Sequence, residues 1–212
     1  MRITVFGASG ASGQWVVRLA AERGHQVTAV IRETSGYEAP EGVTVVRGAV
    51  TESDFVQSLQ LDDEVVISCV GQRRASLFPW SKLLSPPDLV QTVARNLSKT
   101  TPKSLIWMSA GGVGESRAQL TGPIRAMVGA GNVAIGYADL EEAEKVLASV
   151  DFPSFAVRPV TLTWGTKEQK VGQVDRYAAF STVHRRSVAG WMLDYAEGQV
   201  QHQQPTILLG TL

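Results

Sequence analysis

The sequence predicts an α/β fold in which a doubly wound parallel sheet carries helices on both faces, and three observations predict it. Short β-branched runs alternate with segments of helical period along most of the chain. A run of glycines separates the first of those strands from the first helix. The run Val65-Val66-Ile67-Ser68 has no polar face, as expected of a strand buried on both sides in a parallel sheet.

The elements follow in order. Ile3-Thr4-Val5-Phe6 is β-branched and aromatic and stops at Gly7, so it reads as a buried strand. From Gly13 to Arg23, Trp15, Val16, Leu19 and Ala20 recur at helical spacing, and Gly24 stands where a helix C-cap belongs. Val27 to Ile31 is the second strand. Strand, turn, helix and strand thus fit within about thirty residues, the size of one βαβ unit. Val43 to Val46 reads as a strand, Thr51 to Leu59 as a short capped helix, and Val65 to Ser68 as the fourth strand. Pro87 opens a helix over Asp88 to Leu97, with the proline in its first turn. Leu105 to Met108 is the fifth strand, Tyr137 to Ala148 an amphipathic helix, and Ser154 to Val157 a strand. Beyond Gly165 the pattern predicts a strand at Val171 to Tyr177, a helix from His184 to Ala196 and a last strand at Thr206 to Leu209.

Two stretches break this rhythm, Arg73 to Ser85 after the fourth strand and Gly111 to Gly136 after the fifth. Both leave the carboxyl end of a strand, where open α/β sheets bind ligands. Long excursions at such places are commonly functional.

Composition narrows the function classes. The chain has 212 residues, enough for one domain with a full core and cramped for two, so residues 1–212 read as a single domain. With 44% hydrophobic and 19% charged residues the composition is globular rather than disordered. Twenty basic residues balance twenty acidic ones, which argues against a nucleic-acid partner, since that requires a basic face. The single cysteine, Cys69, forms no internal disulfide and needs no oxidising compartment. No stretch approaches the roughly 18 unbroken apolar residues of a membrane span. The first strand begins at Arg2, leaving no room for a signal peptide ahead of it. The expectation is a cytoplasmic protein without membrane contacts.

Gly7-Ala8-Ser9-Gly10-Ala11-Ser12-Gly13 is a GxxGxxG pattern. In a dinucleotide site the first glycine permits the tight turn, the second lets a pyrophosphate approach the backbone, and the third allows close helix–strand packing. The following helix aims unpaired N–H groups at the phosphates. Such a pattern is weak alone and gains weight between a first strand and an amphipathic helix. The end of the second strand reads Ile31-Arg32-Glu33. An arginine there accommodates a 2′-phosphate and an acidic residue binds the ribose hydroxyls, so Arg32 favours NADP(H) over NAD(H) and Glu33 counts the other way.

These residues, with Val-Arg-Gly at 46–48 and Ser109-Ala110 after the fifth strand, resemble the atypical short-chain dehydrogenase/reductases, in particular the NmrA-like and biliverdin-reductase-B-like group. Gly112 to Arg117, Glu142 to Leu147, Val157-Arg158-Pro159 with Leu162-Thr163, and Val183 to Ala189 extend the resemblance over nearly the whole chain. It implies a Rossmann fold with a small C-terminal substrate lobe from about residue 160. It also implies cofactor contacts from Gly7, Ser9, Gly10, Ala11, Ser12, Gly13 and Arg32. Cys69, Val70 and Gly71 would pass beside the ribose, Ser109 and Ala110 would face the nicotinamide, and Arg158, Pro159 and Val160 would close over it.

The departures concern the chemistry. The usual short-chain enzyme pairs a tyrosine acid with a lysine four residues on. Here Tyr137 is followed at that spacing by Glu141, whose charge would raise the phenol's pKa. Leu140 stands where relatives often have histidine, and Ala49 where an aspartate is usual. Ser109 and Tyr137 remain the candidate catalytic residues, with Asp139 as a third proton-handling group or a helix-dipole residue. His25 reads as solvated, and with His184, His202 and one cysteine no metal cluster assembles. Arg73-Arg74 would hold an anionic substrate or the 2′-phosphate, or stay a solvated basic loop; Arg117 and Arg125 invite the same readings. Phe78, Trp80 and Met127 would line an apolar pocket, fill the core or form an oligomer contact. The expected function is NADPH-dependent reduction of a small planar or carbonyl-containing substrate, anionic or aromatic. A non-catalytic NADP(H) redox sensor and an isomerase- or epimerase-like relative are the alternatives.

Overall fold

In the computed structural model, which describes residues 1–76 and 78–212, one eight-stranded sheet runs in the order β3-β2-β1-β4-β5-β6-β10-β8. Its members are β1 (Arg2–Phe6), β2 (Gln26–Ile31), β3 (Thr44–Arg47), β4 (Val65–Ser68), β5 (Ser104–Met108), β6 (Ser154–Pro159), β8 (Val171–Gln173) and β10 (Thr206–Thr211). Seven strands are parallel, and only the edge strand β8 runs antiparallel, against β10. This is the Rossmann-type architecture, with the order reversing at β1 between β2 and β4. A second sheet pairs β7 (Thr161–Thr163) with β9 (Thr182–His184) in parallel.

Side-chain alternation along the strands divides the core into two layers. Ile3, Val5, Ile67, Ile106 and Val157 face α1 (Gly13–Glu22) and α6 (Arg185–Ala196). Phe6, Val66, Leu105 and Trp107 face α2 (Ser53–Ser58), α3 (Leu89–Leu97) and α5 (Gly131–Leu147). Between the phenyl ring of Phe155 and α6, Trp191 and Tyr195 form an aromatic stack, with centroids 6.0 Å and 4.2 Å from Phe155. Helices α1 and α6 run side by side in the same direction. Arg23, just past α1, pairs with Asp194 and Glu197 at the end of α6, while Trp15 near the start of α1 lies under Arg186 near the start of α6.

Several elements differ from the expectation. The stretch after β5 is not an open loop: it holds a 3-10 helix at Gly114–Gln119 and α4 (Gly122–Val128), with Pro123 in its first turn. Helix α5 begins six residues before Tyr137. Its early start is fixed by tertiary contacts, since the Asn132 N–H donates to the Pro79 carbonyl at 2.7 Å and the Asn132 amide to the Ser81 carbonyl at 2.8 Å. Pro87 precedes α3 rather than opening it. Strand β8 stops at Gln173, because Tyr177 turns inward and its hydroxyl meets that of Thr161 at 2.8 Å. Among the described residues no helix is long and apolar enough to cross a membrane.

Candidate functional site

The turn after β1 is built from backbone. Gly7 has φ +71°, a region that L side chains avoid. A Cβ there would lie 3.0 Å from the Cys69 carbonyl and the Val70 nitrogen, so the ends of β1 and β4 meet main chain to main chain. The Gly10 N–H donates to the Gly7 carbonyl at 2.9 Å, and a Cβ on Gly13 would stand only 2.2 Å from that same oxygen. The Gln14 amide fastens the turn through the Ser9 carbonyl at 3.0 Å. Gly10 itself is exposed. Among the described residues no acceptor takes the backbone N–H of Ala11, Ser12 or Gly13. Three open donors at the positive end of α1, beside a glycine with no side chain in the way, fit a pyrophosphate.

At the end of β2, Arg32 is exposed, and Glu33 with it. The turn they occupy is held by Arg47, the last residue of β3, whose guanidinium donates to the Ser35 carbonyl at 2.7 Å and the Glu33 carbonyl at 3.4 Å. The sequence pattern does not single out Arg47. Its signal was the Val46-Arg47-Gly48 run, which marks the strand end without revealing what the side chain holds.

The carboxyl ends of β4 and β5 form the next wall. The Cys69 N–H donates to the Phe6 carbonyl at 2.9 Å, and burial pushes the Cys69 thiol up to about 12. Val70 and Gly71 follow it toward the Arg73–Ser85 excursion, in which Leu77 lies outside the described residues. Ser109 is buried, its N–H donating to the Val157 carbonyl at 2.7 Å, with Ala110 half-buried beyond it. The Tyr137 hydroxyl donates to the Gly111 carbonyl at 3.1 Å. Burial drives that phenol well above its ordinary value, the neighbouring Tyr177 adds to the rise, and the Arg74 guanidinium opposes it.

Among the described residues six buried side-chain polar atoms have no hydrogen-bond partner. Four of them, on Ser68, Gln72, Arg74 and Ser109, sit at or just beyond the carboxyl ends of β4 and β5. Buried polar groups are nearly always paired, so this concentration at the carboxyl edge of the sheet is unusual.

Other predicted residues are placed elsewhere or already occupied. Arg158 is buried against α5, its guanidinium 2.6 Å from Glu115 and also paired with Glu144. The Pro159 carbonyl accepts from the Gly111 N–H, and the buried Val160 donates to the Leu209 carbonyl, both at 2.9 Å. Of these three residues Pro159 braces Gly111, while Arg158 and Val160 are engaged within the core and the sheet. Asp139 is buried and accepts from the backbone of Val90 and Gln91 and from the Gln72 amide, each at 2.9 Å. It caps the neighbouring helix α3 rather than its own. His25 is not solvated: its ring lies 2.7 Å from Glu197 in a half-buried pair. Arg125 donates to the Arg117 and Leu120 carbonyls. Phe78, Trp80 and Met127 are exposed and take no part in the core. No group of three metal-binding side chains occurs among the described residues.

Known structures share this fold. The anaerobilin reductase ChuY of Escherichia coli O157:H7 is 23% identical, covering 99% of this chain and 96% of its own, with a TM-score of 0.77. A short-chain dehydrogenase/reductase from Veillonella parvula in complex with NADP is 16% identical over 99% of this chain and 94% of its own, at a TM-score of 0.74. A putative NADH-flavin reductase from Streptococcus pneumoniae is 16% identical over the full length of both chains, at 0.70. At these identities the likeness speaks for the fold alone. No curated protein matches the sequence. The model of the NAD(P)H-binding family matches residues 7–198, from the first glycine of the turn to the residues just beyond α6. With the turn, its open N–H groups and nine-tenths of the sequence agreeing, the chain belongs to the NAD(P)H-binding family.

Proposed function

We propose that the protein is an oxidoreductase that prefers NADP(H) and passes hydride to a small planar or carbonyl-containing molecule. The observation that carries this reading is the meeting, at one edge of the sheet, of the glycine turn with the four unpaired groups of Ser68, Gln72, Arg74 and Ser109. The backbone of Ala11, Ser12 and Gly13 would hold the pyrophosphate, and Arg32, on the turn that Arg47 fastens, the 2′-phosphate. When bound, the reduced nicotinamide supplies the hydride. Ser109, with its hydroxyl buried and unpaired, offers a hydrogen bond to the substrate's acceptor atom. Tyr137 keeps its proton on the Gly111 carbonyl and acts as a wall; solvent or the substrate supplies the proton.

A panel of quinones, flavins, tetrapyrroles and aromatic aldehydes, followed by NADPH oxidation, tests the proposal. Turnover with at least one class is the expected result, with the rate falling in Arg32→Ala at subsaturating NADPH. Tight NADPH binding without turnover on any acceptor overturns the reductase. It would favour the second reading, a redox sensor, to which the tied Tyr137 hydroxyl and the lysine position held by Glu141 also point. A sensor must bind the oxidised and reduced cofactor with different affinity.

A further inference from the structure

We propose that Arg74 is the anion anchor of the substrate site, and that the molecule reduced there carries a carboxylate. This rests on the reductase reading and names the chemistry of its substrate. Arg74 is half-buried, and one of its guanidinium nitrogens is sealed from solvent without any acceptor. Among the described residues it forms no ion pair. The one buried carboxylate among them, Asp139, has its oxygens filled by two backbone N–H groups and the Gln72 amide. A partly desolvated cation without a counter-charge is costly, and a ligand anion at the open edge of the guanidinium would offset that cost.

The backbone that carries Arg74 is held in place by its neighbours. It bridges Leu83 across a hairpin closed by hydrogen bonds from Leu84 to the Arg73 carbonyl at 2.8 Å and from Ala75 to the Lys82 carbonyl at 3.0 Å. The far end of that hairpin is tied to α5 through Asn132 and Pro79. Helix α5 carries Tyr137, whose phenol feels the Arg74 charge. The cofactor's 2′-phosphate is not the anion in question. In the proposed function that phosphate is held by Arg32 at the end of β2, whereas Arg74 belongs to the excursion that follows β4.

The test compares 4-(hydroxymethyl)benzoate with its methyl ester, binding measured by calorimetry with and without NADP⁺. The expected result is that the acid binds at least about ten-fold more tightly, as a charge-assisted arginine–carboxylate pair provides. Arg74→Ala should erase that preference, Arg74→Lys should keep part of it, and Arg73→Ala should leave it intact, because Arg73 is exposed and outside the site. Equal affinity for acid and ester, no affinity for either, or an unchanged preference in Arg74→Ala overturns the anchor. NADPH-dependent reduction of 4-formylbenzoate and its ester is read separately. Discrimination in binding without turnover of either overturns the reductase and leaves the anion site standing. Turnover without discrimination does the reverse.

Discussion

Replacing Asp139 by asparagine keeps the shape of the side chain and removes its charge. The carboxylate serves three donors: Oδ2 accepts from the Val90 N–H and the Gln72 amide, and Oδ1 from the Gln91 N–H. An asparagine has one oxygen and one NH₂ group. Its best orientation keeps the two donors on the oxygen and turns the NH₂ toward the Gln91 N–H. One hydrogen bond to a charged acceptor is then lost, worth about 1.5–3 kcal/mol, and two others fall from charged to neutral strength. The interaction of the charge with the start of α3 is lost as well, about 0.3–1 kcal/mol. Easier burial of a neutral amide returns part of this, leaving a destabilisation of about 3 kcal/mol. Urea unfolding should show a midpoint lower by about 1 M at unchanged slope, with NADPH affinity of the folded variant within about two-fold of the parent. A variant with the parental midpoint and a large loss of turnover would refute the capping role and return Asp139 to proton transfer.

Three further outcomes follow from the same geometry. Gly13→Ala places a Cβ 2.2 Å from the Gly7 carbonyl and 2.9 Å from the Ala8 Cα, both backbone. The turn must open, costing about 1–3 kcal/mol in stability and at least about ten-fold in NADPH affinity, which calorimetry would detect. The Glu115 carboxyl is pushed up by desolvation but more strongly pulled down, to about 2, by hydrogen bonds from Arg158 and Thr206. Its contribution is therefore complete above the ordinary 4.5 and is lost as pH falls toward 2. Glu115→Gln should flatten the fall in urea midpoint between pH 5 and pH 3, although the side chain's exposure keeps the effect small. Burial raises the Cys69 thiol from 9.0 to about 12, so its protonated form favours the native state at lower pH and that stabilisation fades as pH rises through this interval. Iodoacetamide at pH 8 should label the native protein at least about ten-fold more slowly than the urea-unfolded chain.

What the sequence made legible was local. The glycine turn could be read because a left-handed Gly7 and a sterically closed Gly13 are properties of adjacent residues. Most strands were placed within a residue or two for the same reason. The early part of α5 was not legible: Gly131 to Gly136 resembles a loop and becomes helix where the Arg73–Ser85 excursion holds its first turn. β7 and β9, three residues each, are too short to leave a period. Arg158 enters as a cofactor residue through the family resemblance, and nothing in the neighbouring sequence announces its partner Glu115, 43 residues away. Asp139 reads from the sequence as a proton carrier or a helix-dipole residue of its own helix, and its backbone partners lie 48 and 49 residues earlier. In each case the missing information was a tertiary contact, which one-dimensional spacing does not encode.

Every functional step proposed for this chain requires a dinucleotide held by the glycine turn and selected by Arg32. Titration of the protein with NADPH and with NADH, followed by quenching of its five tryptophans, tests it most directly. Saturable binding of both is expected, tighter for NADPH by at least about ten-fold, with that preference lost in Arg32→Ala. Equal affinity would contradict the role of Arg32, and no binding of either would contradict the site itself.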